Sequence, residues 1–343
     1  MRRKILYIIV INVLCFNLLV AQQFVSDVSK RGTTAAPFLS IGQGARAAGM
    51  GSAFVGVSND PSALYWNPAG IAKQEGAAVL VDHTRWIADV KYNFIAASYN
   101  LGRMGSIGFS LTSSDIGEMG VTTIDEPEGT GETYTAQDIC VSLAYAINLT
   151  DNFAIGINPK FINQKIWRMS ATSFAVDLGV QYVTPFDGII LAASMSNFGS
   201  KMKMDGNSSL VLFDPDDGTS GNNGNIPAYL ETDEWELPLL FRVGLAYQPI
   251  KSKTHTITLA LDASHPSDDY ESLNVGGEYT YDEFISLRAG YKSLFLDGSE
   301  ESFTLGFGIQ QRLVGNILLK VDYAYGDFGR LSEVQKFSLG ISF

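Results

Sequence analysis

Three histidines, His83, His255 and His265, are the side chains best suited to proton transfer near neutral pH. Each falls on a strand-like stretch or at its end, and no serine or cysteine beside them completes a nucleophile–base pair. Triads assemble in space, so spacing alone does not exclude a hydrolase, but nothing in it points to one. Asp214-Pro215-Asp216-Asp217-Gly218 has the acid density of a calcium loop, yet its fifth position is Gly218, where a carboxylate or amide ligand is required. The stretch reads as an acidic surface loop. Asn148-Leu149-Thr150 and Asn207-Ser208-Ser209 fit the glycosylation triplet and are read as turns. No catalytic residue, metal ligand or cofactor is therefore expected, and the elements must carry the argument.

Arg2, Arg3 and Lys4 precede an apolar run from Ile5 to Leu19, which ends in Val20-Ala21 before Gln22-Gln23. That is the order of a secretory signal peptide cut after Ala21. The run is shorter than the roughly 20 residues of a spanning helix, and Cys15, mid-run after Leu14, does not suit a lipoprotein. Removing the three basic residues takes the formal net charge from −12 to −15, which argues against nucleic-acid binding. Cys140 is then alone, so no intramolecular disulfide is expected. Export without disulfides is unusual for a small secreted domain and ordinary for a membrane barrel.

The last nine residues alternate without a fault: Phe337, Leu339, Ile341 and Phe343 share one face, with Lys336, Ser338, Gly340 and Ser342 on the other. Bacterial outer-membrane barrels characteristically end on such a strand with an aromatic residue. The same period recurs in Ile107, Phe109 and Leu111, in Phe174 to Tyr182, and in Ile317 to Tyr325. Fourteen strands are expected, near 77–87, 91–101, 103–124, 134–147, 151–168, 170–183, 188–200, 236–248, 254–265, 271–281, 284–295, 301–312, 315–326 and 333–343. Connections after even strands are tight; those after odd strands, 201–235 above all, are mostly longer and acidic. Short periplasmic turns opposite long outer loops are the asymmetry of a transmembrane barrel, and a soluble sandwich has no reason for it. Trp86, Tyr92, Tyr99, Trp167, Tyr182, Trp235, Tyr247 and Tyr281 are candidates for interfacial girdles.

Residues 22–75 read differently. Gly42, Gly44, Arg46, Gly49 and Gly51 stand in a stretch dense in Gly and Ala, followed by Asp60-Pro61 and by Tyr65-Trp66-Asn67-Pro68-Ala69-Gly70. Asn59 or Asp60 before Pro61 suits a helix start, and Asn67-Pro68 must end that helix. Small residues permit close backbone packing, and a fourteen-stranded barrel is wide enough to need filling. The expected architecture is all-β: residues 1–21 a signal peptide, 22–75 an N-terminal luminal hatch, and 76–343 a 14-stranded antiparallel transmembrane β-barrel.

Phe38-Leu39 through Gly51, with Asp60 and Tyr65 to Gly70, resembles the N-terminal signature of the PorV/PorQ family of type IX secretion outer-membrane proteins, within the FadL-like superfamily of fatty-acid transporters. The Asn-Pro-Ala of that superfamily's hatch maps onto Asn67, Pro68 and Ala69. The resemblance implies an outer-membrane protein that escorts secreted cargo by its C-terminal domain, as PorV types do, or anchors a surface partner, as PorQ types do. Implied partners are secretion-machinery proteins and cargo C-terminal domains, together with membrane lipids and lipopolysaccharide. Asp214, Asp216, Asp217 and Trp235 are candidates for contacts of the long loop. The alternative is a channel of the fatty-acid type with a hydrophobic ligand in its lumen.

Overall fold

A strand whose two faces differ so consistently folds by putting the greasy face against one solvent and the small or polar face against another. The computed structural model describes residues 30–343 apart from 187, 216–217, 219–224 and 314. The expected signal peptide, with Asp216 and Asp217 of the long loop, lies outside the described residues. Strands β1 (Ala77–Arg85), β2 (Lys91–Asn100), β3 (Ser106–Gly120), β4 (Thr133–Thr150), β5 (Phe153–Ile166), β6 (Met169–Val183) and β7 (Ile190–Gly199) form the first half of the wall. β8 (Leu240–Lys251), β9 (His255–Pro266), β10 (Ser272–Tyr281), β11 (Ile285–Leu294), β12 (Phe303–Arg312), β13 (Leu318–Asp327) and β14 (Glu333–Ser342) form the second. Each strand pairs antiparallel with its sequence neighbour, and β1 pairs β14 from Ala78↔Ser342 to Arg85↔Gln335. The sheet therefore closes into a 14-stranded barrel with no free edge.

The face assignment follows the alternation. On β14, Phe337 and Leu339 are exposed while Lys336 and Ser338 are buried. On β6, Phe174, Leu178, Val180 and Tyr182 point out, and Ala171, Ser173, Ala175, Asp177 and Gln181 point in. An apolar belt repeated around every strand is far beyond what a water-soluble monomer exposes, and it is the surface a bilayer covers. Among the described residues no helix is long and apolar enough to cross a membrane.

Strand lengths are uneven. β4 runs for 18 residues and β3 and β6 for 15 each, against 10 for each of β10 to β14. Roughly 9–11 residues cross the hydrocarbon, so the β3–β6 wall rises beyond it. The β5–β6 connection, Trp167-Arg168, is tight although it follows an odd strand, as the expected strand limits 151–168 and 170–183 implied. One detail differs from the sequence reading. Tyr92 belongs to no girdle: it is buried, packed edge-on to Trp86 at 6.1 Å, because its position on β2 has the inward phase. Tyr99, Tyr182 and Tyr281 do sit exposed at the ends of even-turn strands.

The long connection between β7 and β8 carries its own ladders. Met202–Lys203 pairs Glu234–Trp235, and Leu210–Phe213 pairs Ile226–Tyr229. Its return limb is tied to the wall, since Asn197 Nδ2 donates to the Pro238 carbonyl at 2.9 Å. Asn197 has a positive φ of 65°, and it is held there by Asp177, whose carboxylate accepts its N–H at 2.8 Å and pairs with Lys160 at 2.6 Å.

Candidate functional site

Inward wall positions are mostly small or polar, so the barrel's apolar core has to come from elsewhere. It comes from the leading segment. Phe38, Met50, Phe54, Val55, Leu64 and Ile71 are fully buried; Leu64 and Ile71 cluster with inward Ala144, Ala146 and Ala154, Met50 and Phe54 with Ala246 and Ala260, and Phe38 with Ala171 and Ala175. A five-residue helix, α1 (Ala45–Gly49), and a four-residue one, α2 (Ala63–Trp66), are joined by turns, and a 3-10 turn covers Pro68–Lys73. Helices this short have no stability of their own; wall side chains satisfy their backbone.

At the start of α1, Asp82 Oδ2 accepts the Gly44 N–H at 3.2 Å and Ser338 Oγ accepts that of Ala45 at 2.7 Å, while the same serine hydroxyl donates to Asp82 at 2.5 Å. After α1, Thr304 Oγ1 accepts the Gly51 N–H at 2.9 Å. Asp262 Oδ2 takes two N–H groups, from Phe54 at 2.6 Å and Val55 at 2.8 Å. Gln181 donates to the Gly56 carbonyl at 2.9 Å and Asn158 to that of Leu64 at 2.9 Å. A backbone with few internal bonds is thus paired to β1, β5, β6, β9, β12 and β14 at once.

Each candidate hatch residue has a definite place in this seam. Arg46 grips Glu278 of β10 with both ends of its guanidinium, at 2.9 and 2.7 Å, and reaches Asn59 at 2.7 Å and Asp60 at 3.3 Å. Glu278 in turn holds Arg288 at 2.6 Å, and Arg288 holds Asp322 at 2.6 Å, so four charges alternate in sign across the lumen. Burial disfavours the Arg46 charge, but Glu278 and Asp60 outweigh it and hold the guanidinium above its ordinary range. Asp60 does not cap α2 directly; its carboxylate accepts the Ser62 N–H at 2.9 Å in the turn before it. Trp66 donates to the Gln43 carbonyl at 2.8 Å, and its ring fills the space a side chain at Gly42 would need.

Asn67 is fully buried and extended, as a residue before proline should be. Its Nδ2 donates to Val55 at 3.2 Å and to Val180 of the wall at 3.0 Å, and its Oδ1 accepts the Ala69 N–H at 3.1 Å. Pro68 and Ala69 lie against Gly156 and Gly179, whose missing side chains are the space they occupy. Gly49, Gly51 and Gly70 are close-approach positions: a Cβ on Gly49 would stand 2.8 Å from Gly306 Cα, and one on Gly51 2.6 Å from the Val275 carbonyl. Gly44 has φ +89° just ahead of α1. Replacing Asn67 by Ala should cost about 1–3 kcal/mol, because buried groups of Val55 and Ala69 lose their partner. Thermal unfolding in detergent, read as the loss of the fast-migrating folded band on a gel, measures it.

The remaining candidates are not brought together. His83 hydrogen-bonds Asn93, His255 bonds Tyr279 and His265 bonds Glu271, on separate parts of the wall, and among the described residues no acid–His–Cys cluster fit for a metal occurs. Asp214 is half-buried beside the loop hairpin, and Trp235 is exposed on its two-residue ladder with Met202. Sequence reasoning missed the wall's half of the seam: Asp82, Asp262, Glu278, Arg288 and Asp322, and the glycines Gly156, Gly179, Gly276 and Gly290. The signal was present, as charge or glycine on the inward phase of an otherwise lipid-facing strand.

A closed 14-stranded antiparallel barrel, apolar outside and holding its own leading segment, is an outer-membrane barrel. The fold is similar to the Pseudomonas putida toluene transporter TodX (TM-score 0.56, 13% identity, 88% of this chain and 97% of that one). It is equally similar to the Ralstonia pickettii toluene transporter TbuX (0.54, 13%, 88% and 97%) and to a Pseudomonas aeruginosa FadL homologue (0.53, 13%, 86% and 97%). At that identity the likeness concerns fold alone. The family model of the type IX secretion system protein PorV matches residues 25–215, and the chain belongs to that family. No curated protein matches the sequence.

Proposed function

We propose that this protein is a partner-binding component of a type IX secretion system, PorV-like, which holds exported proteins at the cell surface through its outer loops while residues 31–76 plug its lumen. What chiefly supports the reading is the density of the seam: the leading segment bonds to strands all round the wall and meets wall backbone at glycines. The large cavities to either side, about 380 and 450 Å3, are lined in good part by charged groups, including Arg46, Glu278, Arg288 and Asp322 on one side and Lys292, Glu300 and Glu301 on the other. That lining does not favour the hydrophobic-ligand channel. Above the membrane, one face of the hairpin in the β7–β8 loop presents Leu210, Leu212 and Tyr229 to solvent, an apolar patch with Asp214, Glu231, Asp233 and Glu234 near it in the loop. An apolar centre with a charged rim is the form of a protein contact.

The test is affinity capture of the tagged protein from outer membranes. Exported proteins sharing a C-terminal domain should be recovered, and replacing Leu210, Leu212 and Tyr229 with serine should reduce recovery by about tenfold or more. Recovery of a stoichiometric long-chain lipid and no such proteins would decide for the channel instead.

A further inference from the structure

The leading segment is seated in two halves. Residues 45–55 are held by β9, β10, β12 and β14, through Asp262, Glu278, Thr304 and Ser338. Residues 63–70 sit instead on β5 and β6. There Asn158 donates to the Leu64 carbonyl at 2.9 Å, Asn67 to that of Val180 at 3.0 Å, and Pro68 and Ala69 fill the space left by Gly156 and Gly179. This second half has a buried connection to the long β7–β8 loop. Asn158 Nδ2 also donates to Asp177 Oδ2 at 3.3 Å, Asp177 Oδ1 accepts the Asn197 N–H at 2.8 Å, and Asn197 Nδ2 donates to the Pro238 carbonyl at 2.9 Å. Lys160 closes the set, 2.6 Å from Asp177 Oδ2 and 3.0 Å from Asn197 Oδ1.

The β7 strand bulges where this happens. Val176 pairs Phe198 and Leu178 pairs Met195, so Ser196 and Asn197 stand opposite Asp177 alone. Leu240 pairs Ser196 in the first rung of the β7–β8 ladder, and Pro238 therefore lies just off that ladder, within reach of the bulge. Asn197 takes φ +65°, a conformation asparagine enters more readily than most residues, and Asp177 and Lys160 hold it there. Asp177 is a fully buried carboxylate served by three donors, and removing any one leaves buried charge short of a partner. Such a set is made or broken as a whole and does not deform by degrees. Drawing the Pro238 limb from the wall pulls on Asn197, loosens Asp177, and frees the Asn158 amide that holds Leu64. We propose that the return limb 234–239 and the plug residues 63–70 open and close as one unit through Asn197, Asp177 and Asn158. A partner that draws the long loop from the wall then unseats that half of the plug, while residues 45–55 stay in place. The trigger rests on the loop's proposed role in partner binding; the coupling does not.

Hydrogen–deuterium exchange of the full-length protein in detergent, resolved by peptide, tests the coupling from both ends. Asn197→Gly keeps the positive φ accessible and removes the side-chain bonds to Pro238 and Lys160. Exchange should rise about fivefold or more in peptides covering 234–240 and also in those covering 63–70. Asn158→Ala, at the other end, should raise both by a similar factor, because coupling between sites is reciprocal. Thr304→Ala should loosen residues 45–55 and leave 234–240 unchanged. If each variant quickens exchange only on its own side, the proposal is overturned. Should a variant fail to fold, or lose protection in β9 and β14 as well, the unaltered protein decides. Rising urea should release 234–240 and 63–70 at one concentration and 45–55 at a higher one, and separate release of the first two overturns the proposal. No partner is added in these experiments, so their failure leaves the loop's role in binding standing, and failure of the affinity capture leaves the coupling standing.

Discussion

Gly276→Val should dislodge the leading segment, whereas Gly277→Val, one residue along the same strand, should be almost silent. The two residues point to opposite faces of β10. A side chain on Gly276 would enter the Met50 carbonyl and come within 2.7 Å of its carbon and 2.9 Å of its Cβ. Backbone cannot yield as a rotamer does, so the clash moves the whole turn from α1 to Phe54 and strips Asp262 and Thr304 of their N–H partners. The loss should exceed about 3 kcal/mol, above the usual range for an overpacked core. On Gly277 the nearest neighbours are Leu259 Cδ2 at 3.6 Å and the Thr258 carbonyl at 3.9 Å, ordinary contacts on the lipid face, where valine also suits the strand. Folded-band melting gives the stability, and planar-bilayer recording should show conductance for the first variant and none for the second. Equal behaviour of the two would mean that Gly276 does not face an occupied lumen.

The second large effect is expected at Glu278. It receives both Arg46 and Arg288 while Arg288 also holds Asp322, so Glu278→Ala leaves two guanidiniums facing each other across a void. Breaking a buried ion network from one side costs about 3–5 kcal/mol. The same reasoning predicts that adding Arg46→Met to Glu278→Ala restores part of that loss, because the uncompensated charge is removed with its partner. Melting of the single and double variants measures the coupling. A double variant no more stable than Glu278→Ala would show that the pair does not tie the segment to the wall.

Much of this was legible beforehand because a barrel wall writes its own period into the chain. Phe337, Leu339 and Ile341 gave both the strand and its lipid face, and the parity of the connections separated membrane from sandwich. Asn67-Pro68 marked the end of the short helix before it for local reasons that act in any context. What stayed hidden were contacts between positions far apart in sequence: Ala45 bonds Ser338, 293 residues away, and Phe54 bonds Asp262, 208 away. Asp82, Asp262 and Glu278 each looked like one more polar residue of an alternating strand, and only the closed wall brings them to the same segment. Tyr92 was misread for a related reason, since aromaticity suggests an interface while strand phase decides the side.

The reading as a whole depends on residues 44–72 being seated in the barrel as firmly as the barrel's own strands. Hydrogen–deuterium exchange of the purified protein, resolved by peptide, measures that directly. Peptides covering Gly44 to Ala72 should resist exchange for as long as those from β9 and β14, because their N–H groups are paired to the wall and shut away from water. Complete exchange of that stretch within seconds, with the strands still protected, would contradict a plugged barrel and the secretion role proposed for it.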